Sequence, residues 1–200
     1  VEQTVPPLSI MDVGYEQQVE HQTSDRTKAA EMEHAARHEI VVKMDEDPVR
    51  YEKLSQRLEQ ILEELGDHWD QLVEALKAFI VQMKSETDTD RNAIFFPERD
   101  SYRFKPFMSI LLDAGNVDLH QMSDDDLQRY AGITVELIKI IQPQISLRDF
   151  WSTYQRVEEL KAEIKVHLDQ YDIIDYDALD ACADRIVQLA KRRHTDLIHA

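Results

Sequence analysis

The sequence predicts an all-α protein, an irregular bundle of six to seven helices without a substantial sheet. Three observations support this fold class. Only four of the 200 residues are glycine, and the chain is rich in Leu, Ile, Ala, Glu, Asp and Gln, a composition that favours helices over strands. Apolar residues recur at the three- and four-residue spacing of a helix face. No stretch shows the alternation typical of a strand, and no internal repeat is detectable.

The first 23 residues differ from the rest because they show no sustained hydrophobic period. Pro6, Pro7 and Gly14 interrupt this leader, so we interpret residues 1–23 as a linker able to dock on neighbouring helices. Residues 24–200 are predicted to form a single helical domain. The chain begins at Val1 rather than at a methionine, which suggests a mature product or, more simply, a segment of a longer polypeptide.

The first half of this domain is predicted to contain three helices. The first covers about 25–44 and ends before Pro48, because the residue that precedes a proline is pushed out of the α region. Asp47 is a suitable N-cap for the second helix, which Gly66 ends, and Asp67 is expected to cap the third. Because a two-residue link joins the second and third helices, residues 48–84 should form an antiparallel hairpin. Their apolar stripes are Leu54, Leu58, Ile61, Leu62 and Leu65 on one helix, and Trp69, Leu72, Val73, Leu76, Ile80 and Met83 on the other.

A polar loop at 85–103 separates the hairpin from a second helical group at 106–199. The cluster Ile94, Phe95 and Phe96 is expected to attach this loop to the core. The group comprises a short helix over about 106–114, a helix capped by Ser123 that ends at Pro143, a connector, a helix capped by Ser152, and a long helix from Tyr176 to Ile198. The last helix should turn Leu179, Ala183, Ile186, Val187, Ala190 and Leu197 inward.

The charge balance argues against a protein that grips nucleic acid along its backbone. Lys and Arg total 23 against 40 Asp and Glu, a formal net charge of -17, whereas phosphate binding needs clustered cations. The densest basic run, Lys191 to His194, is interpreted as a complement to a helix dipole. The acidic runs at 45–47 and 124–126 are interpreted as helix caps, since neither has the spacing of a calcium loop. The acidic surplus suits a basic protein partner.

The expected location is the cytoplasm. A single cysteine, Cys182, fits a reducing compartment, and its apolar neighbours predict a small buried thiol rather than a nucleophile. The sequence has neither the roughly twenty apolar residues that a membrane span needs nor a signal peptide at its start. We therefore expect no membrane partner.

Catalytic motifs are not found in the sequence. The four glycines are isolated, so no phosphate-binding loop can form, and no G-x-S-x-G element is present. The E-x-K pairs Glu159/Lys161 and Glu163/Lys165 do not predict a nuclease, because residues two apart on a helix point in different directions. They are interpreted as solvent-facing charges.

Two small clusters are the candidate functional residues. Glu31, His34 and His38 could lie on one helical face as metal ligands, but a second Glu-x-x-His that would complete such a centre is missing, so we predict no metal site. The polar cluster Glu33, His34, Arg37 and His38 is interpreted as helix-surface contacts or as an interface patch. Asp149, Phe150 and Trp151 form the second cluster, either a core plug, which we favour, or an interface anchor.

Four elements in a fixed order carry a family resemblance. They are M-E-H-x-x-R-H at 32–38, D-P-V-x-Y-x-x-L-S-x-R-L at 47–58, D-F-W at 149–151 and A-D-R-I-V-x-L-A at 183–190. Together they resemble the C-terminal helical region of the R subunits of type I restriction–modification systems. The resemblance covers most of the chain after about residue 28, except the loop at 85–103.

The resemblance implies a parent protein that is an ATP- and Mg²⁺-dependent DNA translocase and endonuclease. The nuclease and motor motifs of that family are missing from this sequence, so the chain is expected to be a non-catalytic segment without a cofactor of its own. In that family the region packs against the motor domains of its own chain and docks the R subunit onto the M and S subunits of the methyltransferase. DNA would be reached only through the rest of the complex. The alternatives are a free-standing acidic helical adaptor unrelated to restriction and a metal-binding helical enzyme around His34 and His38.

Overall fold

The structure, a computed structural model, describes residues 10, 15–85, 95–96, 98–117 and 121–198. Within these ranges the regular structure is helical and no strand occurs, so the all-α prediction is confirmed. The α-helices are α1 (Tyr15–Glu20), α2 (Asp25–Lys43), α3 (Pro48–Leu65), α4 (Trp69–Ser85), α5 (Glu98–Ala114), α6 (Asp124–Ile145), α7 (Tyr154–Asp169), α8 (Leu179–Arg192) and α9 (His194–Ile198). Two short 3₁₀ helices, Phe150–Ser152 and Tyr176–Ala178, precede α7 and α8. None of these helices combines the length and the hydrophobicity that crossing a membrane requires.

The chain divides into two compact units. The first holds Val1–Met44 and Arg50–Thr89, and the second holds Asp45–Val49 and Asp90–Ala200. The sequence predicts one domain over residues 24–200. In the structure, α2 and α4 belong to the first unit, whereas α5 to α9 and the short segment after α2 belong to the second. Helical periodicity identifies which face of a helix is buried but not which other helix buries it.

The first unit has its own core, built on α2 and α4. α1 packs on α2, and Tyr15 and Val19 are buried there together with Ile10. This part of the leader is therefore docked helix rather than bare linker, and leader residues 1–9 and 11–14 lie outside the described ranges. α2 begins as the sequence predicts, with the Ser24 hydroxyl accepting a hydrogen bond from the Thr27 amide at 3.2 Å.

α3 and α4 run antiparallel, but α4 approaches α2 more closely than it approaches α3. The Arg50 guanidinium at the start of α3 donates to the Met83 carbonyl at the end of α4 over 2.8 Å. Gly66 ends α3 with a φ of 45°, a conformation that glycine adopts without strain. The prediction that Asp67 caps α4 is wrong: α4 begins at Trp69, and it is the His68 carbonyl that accepts from the Leu72 amide at 2.9 Å.

The second unit contains α5 to α9 around a larger core. The prediction that loop aromatics attach to this core is confirmed for Phe96, which is buried and meets Phe104 edge to face at 5.8 Å, while Ile94 lies outside the described ranges. α5 begins at Glu98, so the predicted loop at 85–103 and helix start at Pro106 are wrong. Pro106 lies inside α5, where burial of α5 side chains on both sides of it stabilises the helix.

Three further boundaries in this unit differ from prediction. Ser123 caps α6 as expected, but α6 continues through Pro143 to Ile145. α7 begins at Tyr154 rather than after Ser152, which lies in the 3₁₀ helix. The long terminal helix is broken: Tyr176–Ala178 is 3₁₀, and Arg193 separates α8 from α9. Its predicted inward-facing residues are nevertheless all buried: Leu179, Ala183, Ile186, Val187, Ala190 and Leu197.

Candidate functional site

The polar cluster on α2 is largely committed to contacts inside the first unit. Arg37 donates to Glu33 on the preceding turn at 2.8 Å and to Glu59 on α3 at 2.5 Å, so it bridges the two helices. The hydrogen bond from Arg37 holds the pKa of Glu59 below its usual value, and the bonds to Glu59 and then Glu33 raise the pKa of Arg37. The ion triad thus stabilises the α2–α3 packing from a half-exposed position.

The two histidines of this cluster are exposed. His34 and His38 lie on the solvent side of α2, whereas the third candidate ligand, Glu31, accepts a hydrogen bond from Gln22 at 2.6 Å. Among the described residues, no group of three or more His, Cys, Asp or Glu side chains is placed to hold a metal ion. Within the described residues, no further metal-ligating side chain is therefore placed to join Glu31, His34 and His38.

The Asp149-Phe150-Trp151 element divides between core and surface. Phe150 is fully buried in the second core, and the Trp151 ring meets it edge to face at 4.9 Å. Trp151 is half-buried, and its indole N–H donates to Nδ1 of His194 at 3.1 Å. That bond requires an unprotonated Nδ1, since only a nitrogen with a free lone pair can accept. Asp149 is exposed, and its backbone adopts the left-handed helical conformation, with a φ of 58°.

The basic run that contains His194 meets one of the acidic runs. Arg192 pairs with the Asp45 carboxylate at 2.5 Å, and Arg193 donates to the Asp45 carbonyl at 2.9 Å. Arg193 is itself buried, with its guanidinium 4.3 Å from the centre of the Tyr102 ring. The run therefore ties α8 and α9 to the segment after α2, where the sequence predicted only complements to helix dipoles. The sequence contains both the basic run and the acidic run at 45–47, but no local pattern indicates that these two distant runs contact each other.

The lysines of the E-x-K pairs are not simple solvent-facing charges. Lys161 lies 3.0 Å from Asp180 and 2.8 Å from Asp184, and Lys165 lies 2.8 Å from Asp180. These ion pairs join α7 to α8. The hydrogen bonds from Lys165 and then Lys161 lower the pKa of Asp180. The arrangement is one of helix packing, since the lysines face α8 rather than a neighbouring glutamate.

The thiol of Cys182 is placed as the sequence predicts. It is buried on α8 in the core of the second unit. Burial raises its pKa to about 12, so the reactive thiolate is scarce at neutral pH. Cys182 therefore has the environment of a packing residue.

Exposed apolar side chains lie on both sides of Phe150 and Trp151 in the sequence. We call residues 147–154 the connector turn. Leu147 is 54% exposed, Arg148 is 95% exposed and Tyr154 is 78% exposed. Sequence reasoning missed Leu147 and Tyr154, because an apolar residue beside a helix end is ordinarily assigned to the core and no local signal marks the exception.

Backbone and side-chain hydrogen bonds hold the connector turn in one conformation. The Phe150 amide donates to the Leu147 carbonyl at 3.2 Å, and the Thr153 amide donates to the Phe150 carbonyl at 3.1 Å. The Thr153 hydroxyl also donates to the Asp149 carbonyl at 3.1 Å. With Phe150 buried beneath it, the turn presents Leu147, Arg148 and Tyr154 on a well-anchored frame.

A shallow groove lies in the first unit. It lies between the first turns of α2 and α4 and is lined by Asp25, Lys28, Asp70, Gln71, Val73, Glu74 and Lys77. Lys77 pairs with Glu74 at 3.0 Å and Lys28 approaches Asp25 at 3.9 Å. Because its charges of both signs lie side by side, the groove offers no concentrated charge for a ligand.

Comparisons with protein-family models, with curated proteins and with solved structures find no match for this chain. The family resemblance stays a prediction that rests on the sequence elements. The structure adds where they lie: 32–38 on α2, 47–58 at the start of α3, 149–151 in the connector turn and 183–190 on α8, where the apolar members of the element are buried.

Proposed function

We propose that this chain is a non-catalytic helical assembly domain of a type I restriction enzyme R subunit. It docks that subunit onto the methyltransferase core of M and S subunits and braces the motor domains of its own chain. The family assignment is carried by the four ordered sequence elements, and the docking role by one observation. That observation is the connector turn, where an aliphatic, an arginine and an aromatic side chain are exposed on a rigid frame.

Such a set of side chains is typical of protein interfaces. Arginine and aromatic residues contribute a large share of binding energy in the centres of interfaces, where the partner excludes water from them. A turn already fixed by hydrogen bonds loses little conformational entropy when a partner binds. The connector turn therefore supports docking better than it supports chemistry.

A second contact surface is assigned to α2. Its exposed side chains include His34 and His38, and Val41 and Val42 are exposed near its end. We assign this surface to the motor domains of the same chain, in keeping with the bracing role. Arg37 and Glu33 support it from within, because their bonds fix α2 against α3.

One rival function has an observation in its favour. The net charge of -17 suits a free-standing acidic adaptor that binds a basic protein. The two proposals differ in genetic context, since an R subunit is encoded with M and S subunits and its reading frame extends upstream into a motor. A frame that starts near Val1 with no such neighbours favours the adaptor.

The docking proposal is tested by retention of the chain on the purified M and S complex from its own operon, at low and moderate salt. We expect specific retention that falls at least tenfold for the double variant Leu147→Ala/Tyr154→Ala. The matched control is Val166→Ala/Tyr176→Ala, which removes two comparably exposed side chains elsewhere in the second unit. Arg37 and Trp151 are poor choices for this test, because changing either one also removes an internal contact. If the native chain is not retained at either salt concentration, the proposal is wrong.

A further inference from the structure

Two exposed arginines, Arg148 within the connector turn and Arg156 just after it, lie beside each other in a chain that is strongly acidic. Arg148 is almost completely exposed, and Arg156 on the first turns of α7 donates to the Arg148 carbonyl at 3.2 Å, which places a second guanidinium beside the turn. The chain as a whole has a formal charge of -17. A partner that approaches this turn therefore meets two arginines where most of the surface would repel a carboxylate.

The charge of Arg148 is only weakly neutralised by its neighbour. Its Nε lies 3.6 Å from the Asp149 carboxylate, and both side chains are well exposed, so water and salt compete with that pair. A guanidinium binds a carboxylate best through two parallel hydrogen bonds, which the 3.6 Å contact does not provide. Arg148 can therefore exchange Asp149 for an incoming carboxylate at little cost.

Apolar surface flanks this charge on both sides in the sequence. Leu147 precedes Arg148 directly, and Tyr154 begins α7 at the other end of the turn. Removing these two side chains from water is favourable in proportion to the area covered, so the partner should contribute apolar surface as well as charge. A free anion or a small carboxylic acid would leave that area exposed.

We propose that the connector turn is a docking site for an acidic segment of a partner protein, which presents a carboxylate to Arg148 and an apolar side chain to Leu147 and Tyr154. This inference rests on the proposed docking function and specifies the chemistry of the partner. A nucleic-acid backbone is the less favoured occupant, because tight phosphate binding requires more clustered cations than Arg148 and Arg156 provide.

The first test measures retention on the M and S complex with reversed charge. Arg148→Glu should weaken retention at least tenfold at low salt. Lys139→Glu, which reverses an exposed cation on α6, should change it less than twofold. Both variants should keep the helical circular dichroism spectrum of the native chain. Equal retention of the two variants would overturn the inference and leave the docking function standing.

The second test does not depend on the M and S complex. Its probe is a labelled amphipathic helical peptide with leucines on one face and glutamates along the edges, titrated by fluorescence anisotropy. We expect the native chain to bind this peptide at least tenfold more tightly than the same peptide with Gln for Glu, and a Lys-for-Glu peptide to bind the Arg148→Glu variant instead. Three outcomes would each overturn the inference. The first is equal binding of the Glu and Gln peptides, and the second is no binding of the Glu peptide. The third is tighter, Arg148-dependent binding of a DNA duplex of about 20 base pairs, which is about two helical turns. Failure of the native chain to bind the M and S complex, with peptide binding intact, would instead count against the restriction-enzyme assignment alone.

Discussion

Asp149 offers a direct test of how the connector turn is built. Its backbone is left-handed, with a φ of 58° and a ψ of 21°, and its side chain makes no capping hydrogen bond. A left-handed conformation costs an L-residue about 1–2 kcal/mol, whereas glycine adopts it freely. Glycine in turn loses about 0.5–1 kcal/mol more backbone entropy on folding. The Asp149→Gly variant should therefore be more stable than Asp149→Ala by about 1 kcal/mol.

The comparison of two variants removes most other effects. Both substitutions delete the Asp149 carboxylate and its weak contact with Arg148, so the difference reports the backbone alone. The matched control is Ala162, an exposed residue in the middle of α7. There the order should reverse, with Ala162→Gly less stable than the native chain by about 0.5–1 kcal/mol.

The assay is urea unfolding followed by tryptophan fluorescence in a Trp69→Phe background. The chain has two tryptophans, and the remaining one, Trp151, lies in the second unit beside the substituted residue. A difference of about 1 kcal/mol corresponds to a shift of roughly 4 °C in a parallel thermal experiment. If Asp149→Ala proves as stable as Asp149→Gly, the left-handed geometry assigned to the turn is refuted.

Three further predictions concern the second unit. Gly115→Ala should destabilise the second unit by about 1–3 kcal/mol in chemical unfolding, because a Cβ there would lie 2.7 Å from the Ile173 carbonyl oxygen. Its control is Gly132→Ala, whose Cβ would meet nothing within 4 Å and which should be neutral or stabilising. Cys182 should react with a thiol-specific disulfide reagent at pH 8 at least a hundredfold more slowly in the native chain than in urea, since burial raises its pKa to about 12, and comparable rates would contradict that burial. Asp180→Asn should lower the melting temperature at pH 7. Because the folded-state pKa of Asp180 is lowered from 3.8, its stabilising effect is present above that value, and the difference from the native chain should shrink as the pH falls below about 4.

Local sequence signals correctly predicted two helix ends, at Ser123 and at Gly66, but not those expected at Asp67, Pro143 and Ser152. Ser123 accepts a hydrogen bond from the Asp126 amide at 3.1 Å, which is what a Ser-x-x-Asp pattern predicts. Gly66 similarly ends α3 in the left-handed region. Each of these features depends on residues three or four positions away, so a single sequence contains the whole interaction.

Features that depend on distant residues were missed. The expected helix over 176–198 breaks at Arg193, whose buried side chain is bonded to Asp45 and stacked on Tyr102. Because proline is unfavourable inside a helix, the sequence predicts a helix start at Pro106, but packing against the second core outweighs that local cost. The same limit applies to the candidate site: Phe150 and Trp151 were identified by type, while the exposure of Leu147 and Tyr154 depends on where α6 ends and α7 begins.

The segment Asp45–Val49 has a consequence for how the chain acquires its structure during synthesis. Its partners Arg192 and Arg193 follow Asp45 by 147 and 148 residues. A ribosome releases the chain from its N-terminus, so this segment waits until α3 to α8 have emerged before Arg192 and Arg193 can bind it. Residues on both sides of it can meanwhile assemble as the first unit. A chain truncated before residue 192 would leave Asp45 without its contacts to Arg192 and Arg193.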